Sequence, residues 1–188
     1  MNTRKIHTYF LKGIHGRKWY SHTRVHIEKI FGPDTDVFIE ILAATSPNTS
    51  VKANVSKALK AYRQFKDNEK FSGQLPIVLN MLEIIRLNHF IGQEKPFGGP
   101  KVQAFSKALK GDLSQVVVDT WMLRAFDVPN ATPLRIQTIT EFITKKAKRF
   151  GMRPAEVQAA IWCGIKLSQK RKQLNNIEPF ESFLPFEI

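Results

Sequence analysis

Apolar residues recur every three or four positions along most of the chain, the spacing that places them on one face of an α-helix. After Gly32, the apolar positions of the first such segment are Val37, Phe38, Ile41 and Leu42. Asp34 or Thr35 can cap this helix, because short polar side chains accept hydrogen bonds from the free N–H groups at a helix start. Ser46 and Pro47 then break the pattern. The segment therefore predicts a buried helix that ends before Ser46.

Six further segments predict helices in the same way. They are residues 51–65, 75–91, 100–110, 120–126, 139–150 (after Thr138 or Thr140) and 154–172. Gly92 is placed to end the second of these, which is rich enough in leucine and isoleucine to be central. Pro100 and Pro154 suit first helical positions, where the missing N–H needs no partner. No segment predicts a strand, so the expected fold is all-α, in one domain over residues 1–188.

The two ends of the chain differ in charge from the middle. Residues 1–27 carry six Lys and Arg, four of the five histidines and no acid, whereas residues 173–188 carry three acids and no base. We interpret residues 1–33 as a basic N-terminal arm, either solvated or in contact with phosphate. Residues 173–188 are expected to form an extended C-terminal strap that packs its aromatic side chains on the body.

Basic residues outnumber acidic ones across the whole chain. The 29 Lys and Arg against 16 Asp and Glu give a formal net charge of +13, which favours a polyanionic partner. Nucleic acid is the leading candidate, and an anionic membrane surface is the competing one. No apolar run approaches the roughly 20 residues of a bilayer span, and no signal peptide is evident. We expect an intracellular, nucleoid-associated cytoplasmic monomer that does not enter a membrane.

Cys163 is the single cysteine, so an intrachain disulfide is excluded. No Cys/His cluster offers the four ligands of a structural zinc or iron–sulfur site. We therefore predict no metal and no cofactor, and we expect Cys163 to be a small core residue.

The stretch GGPKVQAFSKALKGDLSQVVVDTW, residues 98–121, carries the candidate chemistry. Lys101 and Asp119 lie at its two ends. An aspartate before a helix is also an ordinary N-cap worth about 1 kcal/mol, and a lysine at a helix start also contacts solvent or phosphate. A carboxylate can also act in catalysis as a base or by stabilising a cation, and a neutral lysine amine can act as a nucleophile.

These residues resemble a known family, the helix-hairpin-helix DNA glycosylases of base excision. The family's signature runs from a hairpin, L-P-G-V-G-x-K, to V-D-T-H, and GGPKV and VVVDTWMLR stand at that distance here. Upstream, ILAATSPNTSVKAN resembles the helix and DNA-inserting loop L-L-S-A-Q-A-T-D-V-S-V-N-K of endonuclease-III-like members. The resemblance covers roughly residues 34–126.

The resemblance implies an all-α, two-lobed helix-hairpin-helix fold with the active site in the cleft between the lobes. It makes Asp119 the catalytic aspartate and Lys101 the Schiff-base lysine. Gly98 and Gly99 take the hairpin's DNA-binding place, although Phe97 replaces the first signature glycine. Trp121 replaces the usual histidine of V-D-T-H, and the four-cysteine cluster of some members is absent.

Further DNA contacts are expected from three groups of residues. The DNA-inserting loop is represented by Thr45, Ser46 and Asn48, which alternatively only cap and break two helices. Arg17 and Lys18 of the N-terminal arm are expected at phosphates. A base pocket is expected from Trp121, Trp19 and Tyr20, with Trp162 as a further stacking candidate, although large aromatic residues are usually core.

The leading hypothesis is a DNA glycosylase that flips and excises a damaged or modified base, with or without lyase activity. The substrate of this glycosylase is either damaged DNA or modified viral DNA, the latter in an antiviral role. Base modification on the same scaffold is one alternative, because a fold does not determine its chemistry. A non-catalytic DNA-binding module is the other. That module needs Asp119 only as a helix cap.

Overall fold

A computed structural model describes residues 2–170 of the protein. Within that range the secondary structure is helical and contains no β-strand, so the predicted all-α class is confirmed. The helices are α1 (Thr3–Lys12), α2 (Trp19–Phe31), α3 (Thr35–Thr45), α4 (Val51–Lys66), α5 (Pro76–Ile91), α6 (Pro100–Leu109), α7 (Thr120–Ala125), α8 (Pro133–Phe150) and α9 (Pro154–Lys170). The predicted C-terminal strap, residues 173–188, lies outside the described residues.

The segment that we interpreted as a basic arm, residues 1–33, is helical where it is described. Helices α1 and α2 account for most of it, joined by a 3-10 turn at Ile14–Lys18. Ile6, Phe10, Tyr20 and Ile27 of this segment are buried. The arm interpretation was therefore wrong, because these apolar side chains pack into the body of the protein although the segment is strongly basic.

The chain divides into two compact units. The described part of the first unit consists of residues 2–22 and 111–170, and the second unit is Thr23–Lys110. In the first unit α9 packs against α1, α7 and α8. Its core includes Ile6, Phe10, Met122, Phe126, Ile143 and Ile161.

Helices α1 and α9 approach each other at backbone distance. A Cβ atom added at Gly164 of α9 would lie 1.8 Å from the Tyr9 carbonyl oxygen in α1. A Cβ added at Gly13, which follows α1, would lie 2.1 Å from the Ala160 carbonyl oxygen. Both contacts involve backbone atoms that cannot swing aside. Glycine at these two positions therefore permits the close packing of α1 on α9.

The second unit is built around α3. This helix contacts α4, α5 and α6, and its Phe38, Ile39, Ile41 and Leu42 are fully buried. The Phe38 ring stacks on Phe31 of α2 with 3.7 Å between centroids. We expected α5 to be the central helix, but the buried face of α3 takes that place and several apolar residues of α5 are exposed. The exposed ones are Ile77, Phe90 and Ile91.

Local start and stop signals set most helix ends. Gly92 ends α5 in the left-handed conformation, with φ of 68°, and Pro100 occupies the first turn of α6, as predicted. Helix α8 begins earlier than predicted, at Pro133, because Thr132 accepts a capping hydrogen bond from the Arg135 N–H. Asp34 precedes α3 but makes no capping bond. Its carboxylate instead accepts from Tyr62 and Lys66 of α4.

Within residues 2–170, no helix combines the length and the apolar character that crossing a membrane requires.

Candidate functional site

Asp119 lies at the start of α7, after the three buried valines of residues 116–118. Its backbone is extended, with φ of −97° and ψ of −177°, so the side chain turns back over the first turn of the helix. Oδ1 accepts a hydrogen bond from the Met122 N–H at 2.9 Å. The predicted N-cap is confirmed.

A second donor holds the other carboxylate oxygen of Asp119. The indole Nε1–H of Trp162, in α9, donates to Oδ2 at 2.9 Å. Asp119 is half-buried, so this bond is partly shielded from water. Because each oxygen accepts one N–H, the plane and the direction of the carboxylate are set from two helices at once. Each oxygen keeps further acceptor capacity for a substrate or a water molecule.

All three tryptophans of the chain belong to one group of side chains in the first unit. The Trp162 ring lies 6.1 Å from that of Trp19, measured between centroids. The Lys166 Nζ lies 4.5 Å from the Trp162 centroid and 4.9 Å from the Trp121 centroid. The Arg124 guanidinium lies 4.9 Å from the Trp121 centroid. We call these five side chains the tryptophan cluster, and its Trp162 is the hydrogen-bond donor to Asp119.

Tyr20 does not line the surface of this cluster, contrary to our prediction for a base pocket. Its side chain is buried, and its hydroxyl donates to Oε1 of the buried Gln158 at 2.7 Å. Burial raises the pKa of the Tyr20 hydroxyl well above its usual value, and the negative charge of Asp119 adds to the effect. The ring meets Trp19 edge-on, with 5.1 Å between centroids. Tyr20 therefore supports Trp19 from within the core.

Arg17 and Lys18 lie together in the 3-10 turn Ile14–Lys18. The Arg17 guanidinium is half-buried and donates to the Ile14 carbonyl oxygen at 3.4 Å. Lys18 is exposed. Of the two predicted phosphate contacts, Lys18 is thus the more accessible one.

In the second unit, a glycine-containing loop joins α5 to α6 at the position of the predicted hairpin. The Asn88 side chain clamps the loop to α5, because its amide donates to the Lys95 carbonyl at 2.8 Å and its oxygen accepts from the Lys95 N–H at 3.1 Å. Gly98 has φ of 72°, and a Cβ there would lie 2.7 Å from the Met81 Sδ. Gly99 precedes α6 without a side-chain cap. Both glycines are exposed.

Lys101 and Ser46 are brought together although they lie 55 residues apart. The Lys101 Nζ donates to the Ser46 Oγ at 2.5 Å and lies 5.2 Å from the centroid of the Phe105 ring. Ser46 in turn donates to the Ala43 carbonyl at 2.7 Å. Lys101 is half-buried. The predicted Schiff-base lysine thus contacts the segment predicted to insert into DNA, a contact that the sequence did not indicate.

The loop between α3 and α4 presents only some of its predicted contact residues. Asn48 is exposed at the tip, in the left-handed conformation with φ of 55°. Thr45 is only 1% exposed, and its hydroxyl bonds to Asn54 Oδ1 at 2.8 Å. The Asn54 amide completes the network by donating to the Leu42 carbonyl. The prediction that Thr45 contacts DNA was wrong, because packing of α3 on α4 uses its hydroxyl internally.

The predicted catalytic residues belong to different units. Asp119 and the tryptophan cluster are part of the first unit, whereas Lys101, Ser46 and the hairpin are part of the second. Among residues 2–170, no three His, Cys, Asp or Glu side chains are grouped so that they could hold a metal ion. Cys163 is buried as expected, and burial raises the pKa of its thiol to about 11.

The sequence did not indicate that Trp162 binds Asp119 or that Lys166 lies between two indoles. One signal was available, since residues 162 and 166 are four positions apart and share a face of α9. Nothing in the sequence, however, links that face to the start of α7. The contact depends on how α7 packs on α9.

A family model whose description is a family of unknown function matches residues 11–169. The matched range includes Asp119, Lys101 and every member of the tryptophan cluster. No curated protein and no solved structure matches the chain.

Proposed function

We propose that this chain, which belongs to DUF7178, a family of unknown function, is a DNA glycosylase that flips and excises a damaged or modified base. The proposal assigns the all-α chain to the two-lobed helix-hairpin-helix glycosylase fold. The observation that carries it is the Asp119 carboxylate, held by the N–H groups of Met122 and Trp162 beside the tryptophan cluster. The spacing of the GGPK and VVVDTW motifs adds to that observation.

Asp119 is the proposed catalytic residue. When the N-glycosidic bond breaks, its electron pair leaves with the base and the sugar carbon becomes cationic. A carboxylate fixed in advance stabilises that charge without reorganising, and it can orient the water molecule that then adds to the sugar. The two N–H donors supply this preorganisation, because they hold both oxygens in place.

The indole rings supply a surface for an extruded base. Trp19, Trp121 and Trp162 are each half-buried, so part of each ring is accessible. A base that is flipped out of the duplex loses its stacking on the neighbouring bases. Stacking on an aromatic side chain offsets the free energy of that loss. Trp19 and Trp121 are thus proposed as base-contact residues.

The hairpin and the loop after α3 are proposed to bind the DNA backbone. Gly98 and Gly99 are exposed at the start of α6, whose first N–H groups have no side-chain cap. Such N–H groups are favourable partners for phosphate. Ser46 and Asn48 belong to the loop, and Lys18 adds a positive charge in the other unit. The net charge of +13 supports a polyanionic partner.

Lys101 is proposed as the nucleophile of a coupled lyase step. Its neutral amine would displace the base at the sugar carbon, and the Schiff base that follows would break the strand by β-elimination. The contact with Ser46 supports the proposal because it holds the amine in one place. If Lys101 only binds phosphate, the enzyme releases the base and leaves the strand intact.

The test is a panel of duplexes carrying oxidised, alkylated, deaminated and hypermodified viral-type bases. Wild type should release at least one base, and Asp119→Asn should release none while binding DNA with nearly unchanged affinity. The asparagine retains a helix cap, so loss of folding would not explain the result. Glu141→Gln, an exposed acid of α8 in the same unit, is the matched control and should keep full activity. Full release by Asp119→Asn would exclude Asp119 as the catalytic residue.

A non-catalytic DNA-binding module is the second candidate. One observation favours it: both oxygens of Asp119 already accept hydrogen bonds within the protein, one in the cap of α7 and one from α9, and this is also the pattern of a residue that only joins two helices. This candidate predicts binding to the duplexes without release of any base. A base-modifying enzyme would instead change the mass of the base while it remains attached, which mass spectrometry of digested duplexes detects.

A further inference from the structure

Lys166 holds a positive charge against the indoles of the proposed base-contact surface. It lies four positions after Trp162 on α9, so both side chains project from the same face. Its Nζ is within 5 Å of two ring centroids, at 4.5 Å from Trp162 and 4.9 Å from Trp121. Ammonium groups at this distance are attracted by the negative faces of the rings. The Lys166 ammonium therefore places a positive charge beside both indole rings.

Arg124 adds a second positive charge at the same surface. Its guanidinium lies 4.9 Å from the Trp121 centroid, so Trp121 has two cations within cation–π distance. A base that stacks on Trp121 or Trp162 must come close to these charges. Lys166 is half-buried, so its charge is screened less than it would be in bulk water, whereas Arg124 is exposed.

We infer that Lys166 determines specificity by charge: it excludes cationic bases from the tryptophan cluster and favours neutral bases with ring carbonyl oxygens. This inference rests on the proposed glycosylase function. A base alkylated on a ring nitrogen that carries no hydrogen, such as N7 of guanine, has a formal positive charge and meets repulsion from Lys166 and Arg124. A base altered by deamination or oxidation is neutral and offers carbonyl oxygens that accept hydrogen bonds from the ammonium.

Lys166 would also assist the departure of a neutral base. As the glycosidic bond breaks, the electron pair moves onto the ring nitrogen and spreads to the neighbouring carbonyl oxygens. A nearby ammonium stabilises that developing anion, whereas a cationic base leaves as a neutral molecule and gains nothing from it. Water then adds its hydroxide to the sugar carbon, and its proton ends on the base nitrogen. The negative charge of Asp119 thus stabilises the cationic sugar, and the positive charge of Lys166 stabilises the departing anionic base.

The decisive experiment measures single-turnover release from matched duplexes carrying uracil, 8-oxoguanine or 7-methylguanine, the last being cationic. Wild type should release a neutral base at least tenfold faster than 7-methylguanine, after subtraction of spontaneous loss. Lys166→Met keeps the alkyl chain and removes the charge, so it should slow release of the neutral base by tenfold or more and lower the preference for it. Lys166→Arg should retain the preference, and Lys145→Met, an exposed lysine of α8, should leave it unchanged.

A second measurement detects the positive charge of Lys166 without requiring base release. All tryptophan fluorescence comes from the cluster, because the chain has three tryptophans and all belong to it. Anionic iodide should quench this fluorescence more strongly than cationic caesium. Lys166→Met should reduce the difference, whereas Lys145→Met should leave it as in wild type.

The possible outcomes separate the two proposals. Faster release of 7-methylguanine than of both neutral bases, or an unchanged preference in Lys166→Met, overturns the specificity inference and leaves the glycosylase proposal standing. Equal quenching by the two ions in wild type also overturns the inference. Binding of every duplex without release of any base overturns the glycosylase proposal itself, and the inference with it.

Discussion

The indole N–H of Trp162 donates a hydrogen bond to Oδ2 of Asp119 at 2.9 Å, joining residues 43 positions apart. The bond connects α9 to the start of α7, where the other oxygen of the same carboxylate caps the helix. An N-cap alone needs only one of these oxygens. The second bond therefore fixes the direction of the carboxylate more tightly than capping requires, and this supports the catalytic role that we propose for Asp119.

Trp162→Phe should slow base release by about tenfold to a hundredfold, because the ring remains while the N–H that orients Asp119 is lost. The free energy of unfolding should fall by about 1 kcal/mol. Single-turnover assays and urea unfolding measure the two effects. In a double-mutant cycle on the free energy of unfolding, the effects of Trp162→Phe and Asp119→Asn should be less than additive, since both changes act on one hydrogen bond. Wild-type release by Trp162→Phe would show that the indole N–H does not position the carboxylate.

Lys101→Gln should abolish the covalent protein–DNA adduct that borohydride traps during turnover, together with strand nicking. Lys107→Gln is the matched control, since Lys107 is an exposed lysine of the same helix. This variant should form the trapped protein–DNA adduct as wild type does. Denaturing gels of labelled duplex report adduct and nick in one experiment. Base release that continues in Lys101→Gln, leaving sites that break only in alkali, would make Lys101 a phosphate contact. Trapping that survives the substitution would implicate another amine.

DNA affinity should fall steeply with salt, because binding releases about 0.9 counterion for each phosphate contacted. Lys18→Gln should lower the slope of log affinity against log salt by about one. Lys66→Gln should leave the slope unchanged, since the Lys66 Nζ is paired with the Asp34 carboxylate at 2.7 Å. Fluorescence anisotropy between 50 and 200 mM salt, a range of about fourfold, measures the slopes. A flat wild-type response would argue against DNA as the partner.

Gly164→Ala should destabilise the protein by about 1–3 kcal/mol or more, because the added methyl meets the Tyr9 backbone at 1.8 Å and α1 must move away from α9. Urea or thermal unfolding measures the loss. Gly99→Ala is the matched control and should leave stability nearly unchanged, since nothing lies within 4 Å of a Cβ at that position. Equal stability of the two variants would mean that α1 and α9 leave room for a methyl group at position 164.

The sequence by itself determined the all-α class and most helix ends. Spacing of apolar residues predicted α3, α4 and α5, and Gly92 and Pro100 correctly predicted the end of α5 and the start of α6. The N-cap at Asp119 was also predictable. These features depend on neighbours within one or two helical turns, so the information is local and the sequence carries it. Helices α1 and α2 were not predicted, because the basic side chains of residues 1–27 obscure the helical spacing of the apolar ones.

The tertiary structure alone decided which of the candidate residues meet. Thr45 and Tyr20 were predicted at a DNA surface, but packing directs their hydroxyls to Asn54 and Gln158 in the interior. The Trp162 bond to Asp119 and the Lys101 bond to Ser46 each join helices far apart in sequence. Apolar spacing determines which face of a helix is buried, but the partner of that face is set by how distant helices pack together. The chemistry assigned to Asp119 therefore depends on contacts that no local pattern in the sequence encodes.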